Sequence, residues 1–259
     1  MPDERYFIEA LHRGLRVLEA FIEEGPAQKG KDLSLVQIAE AVDLDKSTAF
    51  RFVYTLQELD YLRRDETSKR YRPGLKLLEL GFAALESLDL VRSAEPHLAE
   101  LARETGEAVN MAVRDAAEIV YLAHISSTQV VAVNMRVGAR LPLHCSSLGK
   151  AHLLDHTAEE LRDLLGPRPY EARTPRTLTT PDALWADLEL ARWRGYTVSN
   201  EELVLGARSL AAPVRNRERQ IVAAINVSVS SARFSQQELE ERYTRAVLEA
   251  ARRISQVVL

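Results

Sequence analysis

The sequence is short of cysteine, of long apolar runs and of net positive charge. Among 259 residues there is one cysteine, Cys145, which excludes an internal disulfide framework. No apolar run reaches the roughly 20 residues that a membrane-spanning helix needs. The opening "MPDERYFIEALHR" is charged and lacks the apolar core of a secretory signal. The formal net charge is −4, so the whole molecule is not drawn to polyanions. Any contact with nucleic acid must come from a local patch. Internal repeats and low-complexity tracts are absent too. What is present is a hydrophobic fraction of 46%, ordinary for a packed core, and a length that suits two domains.

Leu11, Leu15, Leu18 and Phe21 recur at helical spacing in "EALHRGLRVLEAF". The segment "EEGPAQKGKD", with Gly25, Pro26 and Gly30, breaks that period and predicts a loop. Ser34 is placed to cap a short helix, "LVQIAEAV", with Leu35, Ile38, Ala39 and Val42 on one face. "DLD" predicts a tight turn. Asp45 or Ser47 then caps a second helix that turns Ala49, Phe52, Val53 and Leu56 inward. Tyr61 and Leu62 begin an extended piece, "RRDETSK" is a polar turn and "RYRP" returns, which together make a small hairpin. Two short helices, a tight turn and a hairpin form the pattern of a winged helix-turn-helix.

Pro73-Gly74 marks a boundary, followed by the helix "LKLLELGFAALESL" with Leu75, Leu78, Phe82 and Leu85 as its stripe. The next helix, within "SAEPHLAELARETG", ends at Gly106. Then the period changes. "AVNMAVRD", "EIVYLAHIS", "QVVAVNMRV", "YTVSNEE", "ARSLAAPVRN" and "QIVAAINVSVS" read as strands. "SSLGKAHLLDH" and "TAEELRDLL" read as helices, and so does the stretch after Thr180-Pro181-Asp182, which runs to Gly195. A long amphipathic helix closes the chain. The expected fold class is α+β: a winged helix-turn-helix over residues 1–73, a linker helix over 74–91, and a domain over 92–259 with an antiparallel sheet and flanking helices.

A recognition helix presents short polar and basic side chains near its start to base edges and phosphates. Lys46, Ser47, Thr48, Phe50, Arg51 and Tyr54 meet that demand. The hairpin adds Arg63, Arg64, Lys69, Arg70 and Arg72, the densest basic segment of the chain. Taken singly, each piece is more readily a solvated helix face or a charged turn. In this order and spacing they point to double-stranded DNA.

The stretch "LSLVQIAEAVDLDKSTAFRFVYTLQELDYLRR…KRYRPGLKLLELG" resembles the N-terminal domain of the isocitrate lyase regulator (IclR) family of bacterial transcription factors. The resemblance continues through "VGARLPLHCSSLGKAHLL", "RTPRTLTTPDALWADLELARWRGYTVSNEELVLGARSLAAPV" and "VAAINVSV", nearly the whole chain. Two departures stand out: Asp43 occupies the turn position that is usually glycine, and the loop from Gly25 to Asp32 is longer than usual. The resemblance implies a cytoplasmic bacterial protein, repressor or activator, that binds a roughly palindromic operator as a homodimer or a dimer of dimers. It also implies a C-terminal GAF-like domain that binds a small organic acid. No cofactor, membrane contact or catalysis is expected.

The residues themselves support a sensor. In "QIVAAINVSVS", Ile221, Ala223, Ile225, Val227 and Val229 form one face, and Ala224, Asn226, Ser228 and Ser230 the other. The small polar face suits either solvent or a pocket. "CSSLGKAHLL" starts a helix whose amides suit a carboxylate, or whose Ser146 or Ser147 simply caps it. Carrying the family's effector pocket onto matching positions implies Val133, Leu141, Ser147, Leu148, Ser199, Ser209, Asn226 and Ser228. Serines at 199 and 209 replace the acid and cysteine of members that take small aliphatic acids. The wording "YEARTPRTLTTPDAL…RGY…EEL…RSLAAPV" is similar to regulators of aromatic-acid catabolism, such as those answering to protocatechuate or 4-hydroxybenzoate. The expected effector is therefore an aromatic carboxylate.

Two other readings compete. His144, Cys145, His152 and His156 lie close in sequence, and His152 and His156 are spaced to share a helix face as metal ligands do. Cys145 beside His144 suggests a nucleophile and base, but neighbouring residues in extended chain point apart. Neither a glycine-framed serine elbow nor a phosphate loop is present.

Overall fold

A computed structural model describes residues 5–22, 32–86, 89–127, 136–166 and 169–258. The chain divides into two compact units, Met1–Ser87 and Leu88–Leu259.

In the first unit the order is α1 (Glu9–Glu19), α2 (Leu35–Ala41), α3 (Lys46–Glu58), β1 (Leu62–Arg64), β2 (Tyr71–Pro73) and α4 (Lys76–Glu86). Local chemistry sets these boundaries. Ser34 and Gln37 form a reciprocal capping box at the start of α2. Asp45 caps α3, its Oδ1 accepting from the amides of Ser47 (2.9 Å) and Thr48 (3.0 Å). Between the two helices Asp43 takes the left-handed conformation, φ 52°, so the position usually held by glycine keeps glycine-like geometry with a residue that tolerates it. β1 and β2 pair antiparallel, with Arg63 opposite Arg72, and Leu33 bridges to Tyr71 as a third short edge. Gly74 packs so tightly that a Cβ there would lie 2.0 Å from the Asp60 carbonyl oxygen.

The core of this unit is Val17, Ala20, Leu33, Ile38, Val53, Leu62 and Tyr71, with Phe52 and Leu56 packed at its edge. Leu11 and Leu15 are 59% and 50% exposed, while Val17 and Ala20 are buried. Gly14 of α1 lies beside Phe52 of α3, and the face turned to the core is the one that carries Val17 and Ala20. Leu75, Leu78 and Phe82, the stripe of α4, are likewise exposed in the single chain.

The second unit runs α5 (Asp89–Thr105), β3 (Ala108–Asp115), β4 (Glu118–Ile125), β5 (Arg140–Pro142), α6 (Ser147–His152), α7 (Ala158–Leu165), α8 (Pro181–Arg194), β6 (Thr197–Asn200), β7 (Ala207–Arg215), β8 (Ile221–Ser230) and α9 (Gln236–Val257). The strands form one antiparallel sheet in the order β5-β4-β3-β8-β7-β6. α9 lies on β7 and β8 and against α5, whereas α6 lies on β6, β7, β8 and β3. Because successive side chains alternate faces, the apolar set of β8 meets α9, and Ala224 joins Leu148, Leu184 and Leu188 on the α6 side. Thr180 caps α8 and Gly195 ends it at φ 81°. The strand expected in "QVVAVNMRV" lies mostly outside the described residues; Arg136 and Val137, at its end, lead into a turn at Gly138. β5 was not anticipated: three residues ending in proline carry no period-two signal.

Candidate functional site

In the first unit, α3 leaves one face uncovered. Lys46, Ser47, Phe50, Arg51 and Tyr54 are exposed and Thr48 is half-buried, while Ala49 and Val53 anchor the opposite face in the core. Positions 47, 50, 51 and 54 fall on one side of a 3.6-residue helix. The Phe50 and Tyr54 rings sit side by side, centroids 6.2 Å apart and 47% and 53% exposed. Exposed aromatics beside a lysine and an arginine are costly on a face meant only for water.

The hairpin is rigid at its tip. Asp65 Oδ1 accepts from the amides of Thr67 and Ser68 and from the Ser68 hydroxyl, and these hydrogen bonds hold its carboxyl below the usual range. Arg63, Arg64, Lys69 and Arg72 are exposed, with the Arg64 guanidinium 5.6 Å from the Tyr71 ring centre and Lys69 beside Glu66. Arg70 differs from its neighbours. Its Nε donates to the Asp32 carbonyl (2.6 Å) and its Nη2 to Gln37 Oε1 (2.7 Å). Those bonds brace the hairpin against the capping box of α2, a structural duty that the density of basic residues did not reveal.

In the second unit a cavity opens over the α6 side of the sheet. Its floor follows from strand register, since directly opposed residues share a face. One row crosses the sheet as His124, Asn110 and Asn226. The next is Ala108, Ser228, Ser209 and Ser199. Small side chains in the second row leave the empty space; the first row supplies polarity. Ser147 hangs over both. Its Oγ lies 2.7 Å from Ser209 Oγ and accepts from Asn226 Nδ2 at 3.2 Å. The two serines of α6 divide their work: Ser146 Oγ accepts from the Gly149 amide, which frees the Ser147 hydroxyl for the cavity. Gly149 is required there, because a Cβ would lie 2.4 Å from the Leu143 carbonyl oxygen.

Ser147, Ser199, Ser209, Asn226 and Ser228 therefore all line the cavity. Leu141 and Leu148 do not: both belong to the core between α6, α8 and the sheet. One residue of helix turns the side chain by about 100°, so Ser147 and Leu148 cannot both face the opening. Val133 lies outside the described residues. Sequence reasoning missed Asn110, His124, Tyr121 and Arg208, which also line the cavity. Burial keeps the His124 imidazole below its ordinary range and pushes the Tyr121 phenol up, so both are neutral near pH 7.

The cavity roof, Leu203 and Val204, is held by charge. Glu201 takes φ 59° and accepts from the Gly206 amide and the Ser231 hydroxyl. Glu202 reaches the other way. Lys150, fully buried on α6, donates to Glu202 Oε1 (2.8 Å) and Oε2 (3.0 Å) and to Asp187 Oδ2 (2.8 Å). The sequence signal was a lysine set among "SSLG" and "AHLL", where a surface residue is out of place.

His144 and His152 are committed elsewhere, while His156 Nδ1 is buried without a hydrogen-bond partner among the described residues. His144 Nε2 lies 3.0 Å from the Glu171 carbonyl and the ring stacks on Tyr170. His152 Nε2 donates to the Ala112 carbonyl, and burial lowers its pKa to about 4. Burial pushes the Cys145 thiol up to about 12, the reverse of what a nucleophile needs. Among the described residues no group of three or more His, Cys, Asp or Glu is arranged to hold a metal ion, so the metal alternative finds no support. Nor is any helix among them long and apolar enough to cross a membrane.

Comparison with known proteins identifies the family. Residues 10–66 match the IclR helix-turn-helix domain, and residues 82–256 match the family described as bacterial transcriptional regulator IclR C-terminal. The chain is 35% identical over 247 residues to the Pca regulon regulatory protein of Pseudomonas putida, covering 95% of this chain and 82% of that protein. It is 34% identical over 239 residues to the HTH-type transcriptional regulator KdgR of Escherichia coli strain K12, covering 92% and 88%. A solved IclR homolog from Microbacterium hydrocarbonoxydans, complexed with 4-hydroxybenzoate, superposes with a TM-score of 0.80 at 28% identity, over 96% of this chain and 98% of that one. These relatives are transcriptional regulators, not enzymes, and the chain belongs to the IclR family of DNA-binding bacterial transcriptional regulators.

Proposed function

We propose that this regulator, acting in the bacterial cytoplasm, reads an operator with α3 and the hairpin, under the control of a small carboxylic acid, of aromatic type, bound in the second unit. Lys46, Ser47, Thr48, Phe50, Arg51 and Tyr54 enter the major groove, where lysine and arginine meet phosphate or guanine and Phe50 meets a thymine methyl. Arg63, Arg64 and Lys69 hold the backbone beside it, and Arg70 keeps the hairpin at the right angle. The outward stripes of α1 and α4 join two copies, so two recognition helices meet successive grooves of a palindromic site.

The observation that carries the effector reading is the cavity floored by Asn110, Asn226, Ser209 and Ser228. A related structure holding 4-hydroxybenzoate, together with serine at 199 and 209, favours an aromatic acid. Calorimetric titration of the full chain against aromatic and aliphatic acids tests this. Binding of aromatic acids is expected; binding confined to aliphatic acids overturns it. For such control to work, the effector must bind the DNA-competent and incompetent arrangements unequally.

A further inference from the structure

Phe50 and Tyr54 lie one turn apart on α3, turned away from the buried Ala49 and Val53. Both are about half exposed. Other partly exposed aromatic rings carry a cation on one face: Lys76 on Tyr61, Arg192 on Trp185 and Arg194 on Tyr196. Among the described residues no lysine or arginine lies over Phe50 or Tyr54, although Lys46 and Arg51 stand on the same helix. Open ring faces beside uncommitted cations suit a partner that brings phosphate and apolar groups together. In the major groove of DNA the apolar group is the C5-methyl of thymine. Base pairs stack about 3.4 Å apart, so two rings with centroids 6.2 Å apart cover two or three consecutive pairs. Phe50 has no hydrogen-bonding group. It therefore cannot tell the O4 acceptor of thymine from the N4 donor of cytosine, and what it can register is the methyl.

We propose that Phe50 and Tyr54 together read pyrimidine C5-methyl groups as such, so that a cytosine methylated at C5 is accepted where thymine is, and operator affinity responds to base methylation. The inference rests on the recognition-helix reading above and deepens it. It names the chemical group recognised and makes Tyr54 a second specificity-determining residue beside Phe50. The gain comes from removing the methyl and the ring faces from water, roughly fourfold in affinity for each methyl.

The test uses the full chain and an operator fragment selected from random DNA, with binding followed by fluorescence anisotropy at fixed salt. Each thymine of the fragment is replaced in turn by uracil, which removes the methyl alone. Where uracil weakens binding, cytosine and 5-methylcytosine are compared at the same position, each paired with guanine. Thymine is expected to bind better than uracil, and 5-methylcytosine better than cytosine, by roughly fourfold per position. Phe50→Ala is expected to erase the preference at one position and Tyr54→Ala at a neighbouring one, while Tyr54→Phe keeps both. Each ratio compares two DNAs on the same variant, so a loss of stability cancels. Equal affinity for thymine and uracil throughout overturns the inference, and so does a methyl preference that survives in both alanine variants. A preference for thymine over uracil with cytosine and 5-methylcytosine bound alike overturns the reading of the methyl as such. In each of these cases Arg51→Ala decides the parent reading: weakened operator binding leaves the recognition helix in place, and unchanged binding removes it. Failure to enrich any fragment overturns both.

Discussion

The two units treat their polar side chains in opposite ways. On α3, Lys46, Ser47 and Arg51 are exposed, and among the described residues their side chains make no hydrogen bond or ion pair. In the cavity, Asn110 and Asn226 are buried and bonded to each other, to His124 and to Ser147. The difference follows from what each site must bind. A polyanion supplies its own partners, and uncommitted cations on a mobile surface release counterions when they meet it. A small effector has few groups, so the protein must fix its own donors and acceptors beforehand, since reorganising a buried network costs affinity. Mutations should accordingly fall into two classes: those that weaken operator binding without disturbing the fold, and those that disturb the cavity and the fold together.

The largest effect is expected at Lys150. Lys150→Ala leaves Glu202 and Asp187 facing each other across a buried gap, at a cost of about 3–5 kcal/mol. Denaturant unfolding followed by tryptophan fluorescence measures this selectively, since both tryptophans, Trp185 and Trp193, lie in the second unit. Next comes pH. His152 is neutral in the fold, with a pKa near 4 against an ordinary 6.5, so the unfolded chain takes up the proton first as pH falls. Its contribution to stability is complete above pH 6.5 and declines towards about pH 4, by on the order of 3 kcal/mol. His152→Gln should flatten that slope in melting curves recorded across this range. Arg51→Ala should weaken operator binding by about 1–3 kcal/mol, roughly five- to 150-fold, with effector affinity and stability unchanged; unaltered operator affinity would sink the recognition-helix assignment. The smallest effect separates two arginines of the hairpin. Arg63→Ala should reduce the slope of log affinity against log salt by about one. Arg70→Ala should leave the slope nearly unchanged but lower the melting temperature of the first unit.

What was legible in the sequence was local. Caps such as Ser34, Asp45 and Thr180 act on amides two or three residues away, so four or five letters suffice to see them. The alternation of β8 exposed Asn226 and Ser228 as a polar face, and family likeness added Ser147, Ser199 and Ser209. What stayed hidden depends on which elements become neighbours. His124 and Asn110 join the cavity only because β4, β3 and β8 lie side by side in one register. Lys150 meets carboxylates 37 and 52 residues away. Hydrophobic spacing shows that the first helix has an apolar stripe but not which residues a partner covers: Leu11 and Leu15 are exposed, while Val17 and Ala20 are buried. Leu148, which the family resemblance implies for the pocket, packs instead in the core with Leu184 and Leu188.

The central claim is that occupancy of the cavity alters the engagement of α3 with DNA. Fluorescence anisotropy of a labelled operator fragment, selected from random DNA and titrated with the full chain at fixed salt, tests it directly. Saturating effector is expected to shift the Kd for the operator at least fivefold, a typical lower bound for allosteric coupling. Ser209→Val, which fills the cavity floor, is expected to abolish the shift while leaving effector-free affinity intact. An operator Kd that is the same with and without bound effector would contradict the account.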